Sequence, residues 1–315
     1  MTLDLAPLVT RAFSIAWHHR WLWFLGVFGG TGVGVNLGAG PRAGIGTGPG
    51  FGTRGDGGGQ VAQFLADHVA LIVVALAVIL LIALVAFVVS CVAVPASIWA
   101  ALELDAGREV RLGAAWREGR GRFWRYLRLA LLKSLMGLLV VAVAGLLVAL
   151  GVGIYRAGGN ATLVLLVLGG GLLLLLLAAV FILLSLALTW SDRLLVILEL
   201  GAVDSIRAGW WLFRRSKLDT VTLGVVFYVV RLTVGIGVAI AGALVSVPGI
   251  LLVAGYFANQ GASLGLLIAG IVWVVILGGG VELVGAGFIG AFSQAGYAIA
   301  ARDLSASRGL QAAPA

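Results

Sequence analysis

Residues 162–190 read TLVLLVLGGGLLLLLLAAVFILLSLALTW, 29 positions without one ionisable side chain. A helix needs about 20 apolar residues to cross a hydrocarbon layer of roughly 30 Å. This stretch therefore sets the class: all-α, with helices that cross a membrane. Outward from it, residues 69–94 and 127–152 have the same length and character, and 221–245 and 263–301 follow, interrupted by Arg231 and Glu282. A sixth, glycine-rich candidate spans 21–37. It has no small-x-small cleavage site after a leucine-rich core, so it reads as a retained span rather than a signal peptide. With 61% hydrophobic and 11% charged residues, the chain has no ordinary solvated surface.

The distribution of Lys and Arg predicts the orientation. Seventeen cations fall on one side: four near the termini, eight from Arg108 to Lys133, and five from Arg193 to Lys217. The other side has Arg42, Arg54 and Arg156. Both termini are expected in the cytoplasm, and the net charge of +8 is explained by topology rather than by nucleic acid. Cys91, the single cysteine, lies within a span, which leaves no internal disulfide and no cysteine metal cluster.

The six spans fall into three pairs, each preceded by a short segment with Trp and Arg. Phe13-x-x-Ala16-Trp17, Leu112-x-x-Ala115-Trp116 and Ile206-x-x-Gly209-Trp210 share an apolar residue, a small residue and Trp, with Arg20, Arg120 and Arg214 close behind. The tryptophans lie 99 and 94 residues apart, giving one membrane domain of three units near 8–105, 106–200 and 201–304. Chance likeness between Trp- and Arg-rich interfaces is the alternative. At 100° per residue, Leu112, Ala115, Trp116, Phe123 and Leu127 share one face, and so do Val203, Ile206, Trp210 and Phe213. Such helices suit the headgroup layer, where Trp17, Arg20, Trp116, Arg120, Arg125, Trp210, Arg214 and Arg215 would meet anionic lipids. Anchoring alone, or a specific site for a headgroup or a membrane-protein partner, fits that pattern.

Residues 29–60 form a glycine-rich stretch expected to be a mobile outer loop, and 305–315 a disordered cytoplasmic tail. Gly50-Phe51-Gly52-Thr53-Arg54-Gly55 matches G-x-G-x-x-G but has no strand before it or helix after it, so the dinucleotide reading fails. Gly26, Gly30, Gly34 and Gly38 recur every four residues, the spacing of a close helix contact. Gly278–Gly280, Gly285 and Gly287 would loosen or kink the last span, and Pro248 would end or bend the fifth.

Two charges are expected near mid-membrane, Arg231 and Glu282. An unpaired charge there costs several kcal/mol, so the expectation is a pair, serving either as a packing lock or as part of a pathway, with Gln294 and Tyr297 as further polar lining. His18 and His19 read as interfacial rather than metal ligands. No cofactor motif, metal cluster or catalytic constellation is found, so a non-enzymatic role is expected.

Ala12-Phe13-x-x-Ala16-Trp17, the run Glu199…Ser205-Ile206-Arg207-x-Gly209-Trp210-Trp211 and the hairpin plan resemble a group of bacterial six-span membrane proteins. These are related to the membrane domain that accompanies glycerophosphodiester phosphodiesterases. The resemblance implies six helices in the bacterial cytoplasmic membrane. It carries no phosphodiesterase activity, because the catalytic barrel is absent. The leading expectation is a membrane module that organises lipids or partner proteins. A transporter or lipid-handling channel at Arg231 and Glu282 is the rival, with an enzyme of lipid metabolism third.

Overall fold

The apolar runs of Leu, Val and Ala extend well past the lengths expected from their hydropathy. The computed structural model describes residues 4–30, 69–157, 160–258, 263–307 and 309. Its elements are α1 (Leu5–His18), α2 (Trp21–Gly30), α3 (Val69–Asp105), α4 (Leu112–Gly121), α5 (Phe123–Ala157), α6 (Asn160–Ile197), α7 (Ala202–Arg215) and α8 (Lys217–Ala258). After these come α9 (Leu264–Trp273), a π turn (Val274–Gly278) and α10 (Gly279–Ser307), which together form one continuous rod. Among the described residues there is no strand. Five helices are long and apolar enough to cross a membrane: α3, α5, α6, α8 and the α9–α10 rod.

The second parts of the expected hairpins, α3, α6 and α10, run toward a common end and touch one another there. That end is the arginine-rich one. Asp105 closes α3 and accepts from Arg302 of α10 at 2.6 Å, and Arg11 of α1 lies 3.5 Å from the same carboxylate. The helix stops are local. Gly107, at φ +76°, follows α3 in the left-handed region, where Gly107 N–H and Arg108 N–H bond back to Leu104 O and Glu103 O. After α6, Glu199 takes φ +52°, uncommon for a residue with a Cβ, and two arginines hold it: Arg122 Nη2 on its carboxylate at 3.0 Å and Arg125 Nη1 on its carbonyl at 3.3 Å.

Each short helix docks on the long helix that precedes it. α4 lies on α3, where Gly119 faces Val92 O and Ala96; α7 lies on α6, where Gly209 faces Ala187 O and Ser191. α1, the first described helix, lies on α10, with Phe13 and Trp17 edge-on to Phe288 at 5.8 and 6.0 Å. The residue before the aligned tryptophan is buried in all three cases: Ala16, Ala115 and Gly209. The face expected over Leu112–Leu127 is cut at Arg122, which leaves the helical hydrogen-bond pattern between α4 and α5. In α7 the buried stripe is Ser205, Gly209, Leu212 and Phe213, while Val203 and Trp210 face outward.

The protein core is concentrated at the arginine-rich end, in residues 91–101, 187–196 and 285–305 with α1 and α2 beside them. Toward the other end, α3, α5, α6 and α8 expose Leu, Ile and Val along their length. A helix that is apolar all round and not covered by protein is suited to lipid.

Three sequence expectations need correction. The first span was expected over 21–37. Its described part, α2, has ten residues, about 15 Å, and runs parallel to α10, because Trp23 meets Phe288, Gly26 meets Gly287 and Ala291, and Gly29 meets Gln294. It therefore heads toward the arginine-rich end rather than away from it; residues 31–37 lie outside the described residues, as does nearly all of the expected glycine-rich loop. Secondly, Gly29 and Gly30 are helical, and so are Ser305–Ser307 at the start of the expected tail, where Ser305 is buried. Thirdly, α8 continues through Pro248 rather than ending there, and in the last rod the irregularity is the π turn that ends at Gly278, whereas Gly285 and Gly287 make close contacts with Val238 and Trp23.

Candidate functional site

Four helices bring a polar cluster into this core. α6 remains apolar on both sides of Asp192-Arg193, so the helix carries both charges inside rather than ending before them. α5 runs antiparallel beside it, and Lys133 Nζ donates to Asp192 Oδ1 at 2.6 Å. Arg193 Nη1 donates to Asp192 Oδ2 at 3.3 Å and to Thr189 O at 2.8 Å, and its Nη2 donates to Gln294 Oε1 at 2.9 Å. Gln294 Nε2 in turn donates to Gly29 O at 2.8 Å, tying α2 to α10. The Arg193 side chain is 7% exposed and that of Asp192 13%. At such burial each missing partner leaves a costly charge, so the network acts as a unit.

Aromatic rings enclose the arginine. Arg193 Cζ lies 5.3 Å from the Tyr297 ring centroid, and Trp190 meets the same ring edge-on at 6.1 Å. Phe227 of α8 stacks on Tyr297 at 4.8 Å, a fit that depends on Gly296, since a Cβ there would collide with the Phe227 ring. Tyr126 lies beside Asp192 on the α5 side. Two buried donors are left without a partner here, Arg193 Nε and Trp190 Nε1.

Of the residues expected to line a polar site, Gln294 and Tyr297 belong to this cluster. Arg231 lies within electrostatic reach of Tyr297, one turn beyond Phe227. Glu282 does not. α8 and α10 are antiparallel, with Phe227 beside Tyr297, Val238 beside Gly285 and Gly242 beside Glu282. Glu282 is thus level with Gly242, about 16 Å along the helix from Arg231. The two charges, expected at the same depth, thus lie about three helical turns apart. Among the described residues neither makes an ion pair. Glu282 is exposed and Arg231 half-buried.

Lys133, Asp192, Arg193, Tyr126 and Trp190 were missed. Lys133 and Arg193 enter the sequence reading only as cations that set topology, because they border an arginine-rich connection. The signal was present in Leu194-Leu195-Val196-Ile197, an apolar turn after the charges that keeps α6 going.

The expected interfacial residues lie around the outside of the same end. Trp17 is 53% and Trp210 46% exposed, and Trp116 is half-buried. Arg20, Arg120 and Arg214 are exposed and pair with no acid among the described residues, and Arg215 lies over Trp211 at 4.1 Å. Arg125 is held by Glu199 O. Trp210 also walls an open apolar groove of about 260 Å³ with Leu184, Ala187, Leu188, Ser191 and Ile206. No group of three His, Cys, Asp or Glu side chains among the described residues is arranged to hold a metal.

No family model, curated protein or solved structure matches this chain.

Proposed function

We propose that this chain is a multi-pass protein of the bacterial cytoplasmic membrane with both termini cytoplasmic. In this reading it is a non-enzymatic module that gathers anionic lipid headgroups, and with them partner proteins, at the cytoplasmic face. One observation carries the reading: the short helices bury a small residue against the long ones and turn outward Trp and Arg that pair with no acid among the described residues. Ala16, Ala115 and Gly209 face protein, whereas Trp17, Trp210, Arg20, Arg120 and Arg214 face the surroundings. An exposed Trp beside Arg suits the boundary between hydrocarbon and headgroups, and each basic residue adds about 1 kcal/mol of attraction to an anionic leaflet.

Six crossings fit the same picture. Five of them are the long apolar helices α3, α5, α6, α8 and the α9–α10 rod, and the sixth belongs to this reading. The resemblance to proteins related to the glycerophosphodiester phosphodiesterase membrane domain agrees with this location. A transporter or lipid-handling channel is the second reading. Its support now comes from the cluster at Asp192 and Arg193 rather than from Arg231 facing Glu282.

The test compares lipids that co-purify from membranes containing phosphatidylglycerol and phosphatidylcholine. Arg20→Gln, Arg120→Gln, Arg214→Gln and Arg215→Gln combined should keep the helix content and lose most of the phosphatidylglycerol enrichment. Undiminished enrichment in a folded variant overturns the headgroup reading.

A further inference from the structure

The short helices use their aligned tryptophans differently. Trp17 is closed in by aromatic neighbours, stacked on Phe13 at 5.8 Å and edge-on to Phe288 at 6.0 Å. Trp210 has Phe213 beside it at 5.9 Å and walls the open groove of about 260 Å³ between α6 and α7. Leu184, Ala187, Leu188 and Ser191 recur at helical spacing on one face of α6, with Ile206 and Trp210 of α7 across from them. The helices touch at Gly209, which faces Ser191 and the Ala187 carbonyl. The groove is apolar. Its one polar side chain, Ser191, is wholly buried and donates to Ala187 O at 3.4 Å. A polar ligand would find no partner inside, whereas an alkyl chain has no polar group to leave unsatisfied.

Two observations point to the occupant. The α6 face that lines the groove continues at Val180 and Leu176, one and two turns further along the helix, 50% and 58% exposed. A chain leaving the groove therefore runs onto apolar surface suited to lipid. The other observation is charge. Arg207 and Arg214 stand three positions before and four after Trp210, the spacings that make neighbours on a helix surface. Arg207 has Asp204 at 3.9 Å, whereas Arg214 is exposed and pairs with no acid among the described residues. An apolar patch rimmed by polar groups marks a binding surface, and here the rim is cationic.

We infer that the groove between α6 and α7 holds one acyl chain of an anionic phospholipid, whose phosphate lies against Arg214. Trp210, at the boundary between hydrocarbon and headgroups, separates the two parts of the ligand. The groove site rests on the headgroup reading of the short helices and adds to it a specific lipid at α7. Charge and Trp alone would gather lipids without regard to their chains; the groove makes the chain part of what is recognised.

The experiment places the full chain in vesicles of phosphatidylglycerol and phosphatidylcholine in equal parts. Each lipid in turn carries a photoreactive diazirine on one acyl chain, and peptide mass spectrometry locates the adducts. In wild type the phosphatidylglycerol probe should label residues 184–191 and 206–210. Leu184→Phe enlarges a half-buried side chain into the groove, and Trp210→Ala removes an exposed wall. Both variants should keep wild-type helix content and lose most of these adducts. Arg214→Gln should lower the preference for phosphatidylglycerol over phosphatidylcholine about fivefold, the share of one basic residue at an anionic lipid. Adducts spread as densely over α3, α5 and α8, or unchanged in both groove variants, overturn the site. Equal labelling of wild type by the two probes overturns the assignment to an anionic lipid. An unlabelled groove in a chain that runs as a dimer assigns the groove to a second copy and overturns the proposal as well. Loss of the groove adducts with bulk phosphatidylglycerol enrichment intact leaves the headgroup reading standing. Enrichment that persists in the quadruple arginine variant, while Leu184→Phe still abolishes the groove adducts, strikes the headgroup reading instead.

Discussion

Asp192 is the residue on which the cluster depends. It accepts from Lys133 and from Arg193, and both cations are sunk in the core. Removing one side of a buried charge pair costs more than removing both, because the orphan charge keeps its desolvation penalty. Asp192→Asn is expected to destabilise by about 3 kcal/mol. Lys133→Met with Asp192→Leu should recover a large part of that loss. Thermal unfolding of the three proteins in one detergent decides it; if Asp192→Asn melts with the wild type, the cluster is not a lock. Gln294 and Tyr297 were legible from sequence as polar groups on a spanning helix. Arg231 and Glu282 were legible as intramembrane charges, but their separation was not, since it follows from the register of α8 on α10, which glycine and aromatic contacts set.

At the level of elements, hydropathy located the five long helices of the described residues but not the face by which the short ones bind protein. Periodicity identifies an apolar face, which the sequence reading set with its Trp in the headgroup layer. Small residues lie where the short helices meet protein, Gly209 and Ser205 in α7 beside Leu212 and Phe213, and Ala115 and Gly119 in α4. Trp210 and Val203 supply the apolar signal and look outward, which a hydropathy scale cannot distinguish from burial. The same logic explains α2, whose Gly26 crosses α10 at Gly287 and Gly290 so closely that the backbones touch. A matched pair of substitutions tests it. At Gly209 a Cβ would meet Ser191 Oγ at 2.5 Å and Ala187 O at 3.0 Å, and the carbonyl has no room to retreat. Gly209→Ala should therefore cost about 1–3 kcal/mol through overpacking. At Gly113 of α4 a Cβ meets nothing within 4 Å, and Gly113→Ala should gain up to about 1 kcal/mol of helix propensity. Equal melting temperatures for the two variants would remove the small-face docking model.

For the whole molecule, the contact pattern closes on itself. α4 sits on α3 and α7 on α6, and the first short helix completes the series by sitting on the last long one, α10. Arg11 reaches Asp303 at 3.3 Å as well as Asp105, so the start and end of the folded chain meet at the arginine-rich end. The three-unit reading of the sequence gives the order of the hairpins along the chain and not how they meet. It could not anticipate closure, because closure is a contact between the most distant parts of the chain and leaves no local pattern. If the closure is what holds α1 in place, where the chain is cut matters little. A circular permutant that starts at residue 106 and carries 1–105 after residue 315 preserves every helix and every docking contact. Arg11, Asp105 and Asp303 meet at one end, so the first and last described helices adjoin the new cut and neither has to move across the bundle. The expected product is monodisperse, with wild-type helix content and a melting temperature within a few degrees. Loss of a folded product would mean that α1 and α2 must be in place before the later helices assemble, and that the ring is a consequence of folding order rather than the arrangement that stabilises the molecule.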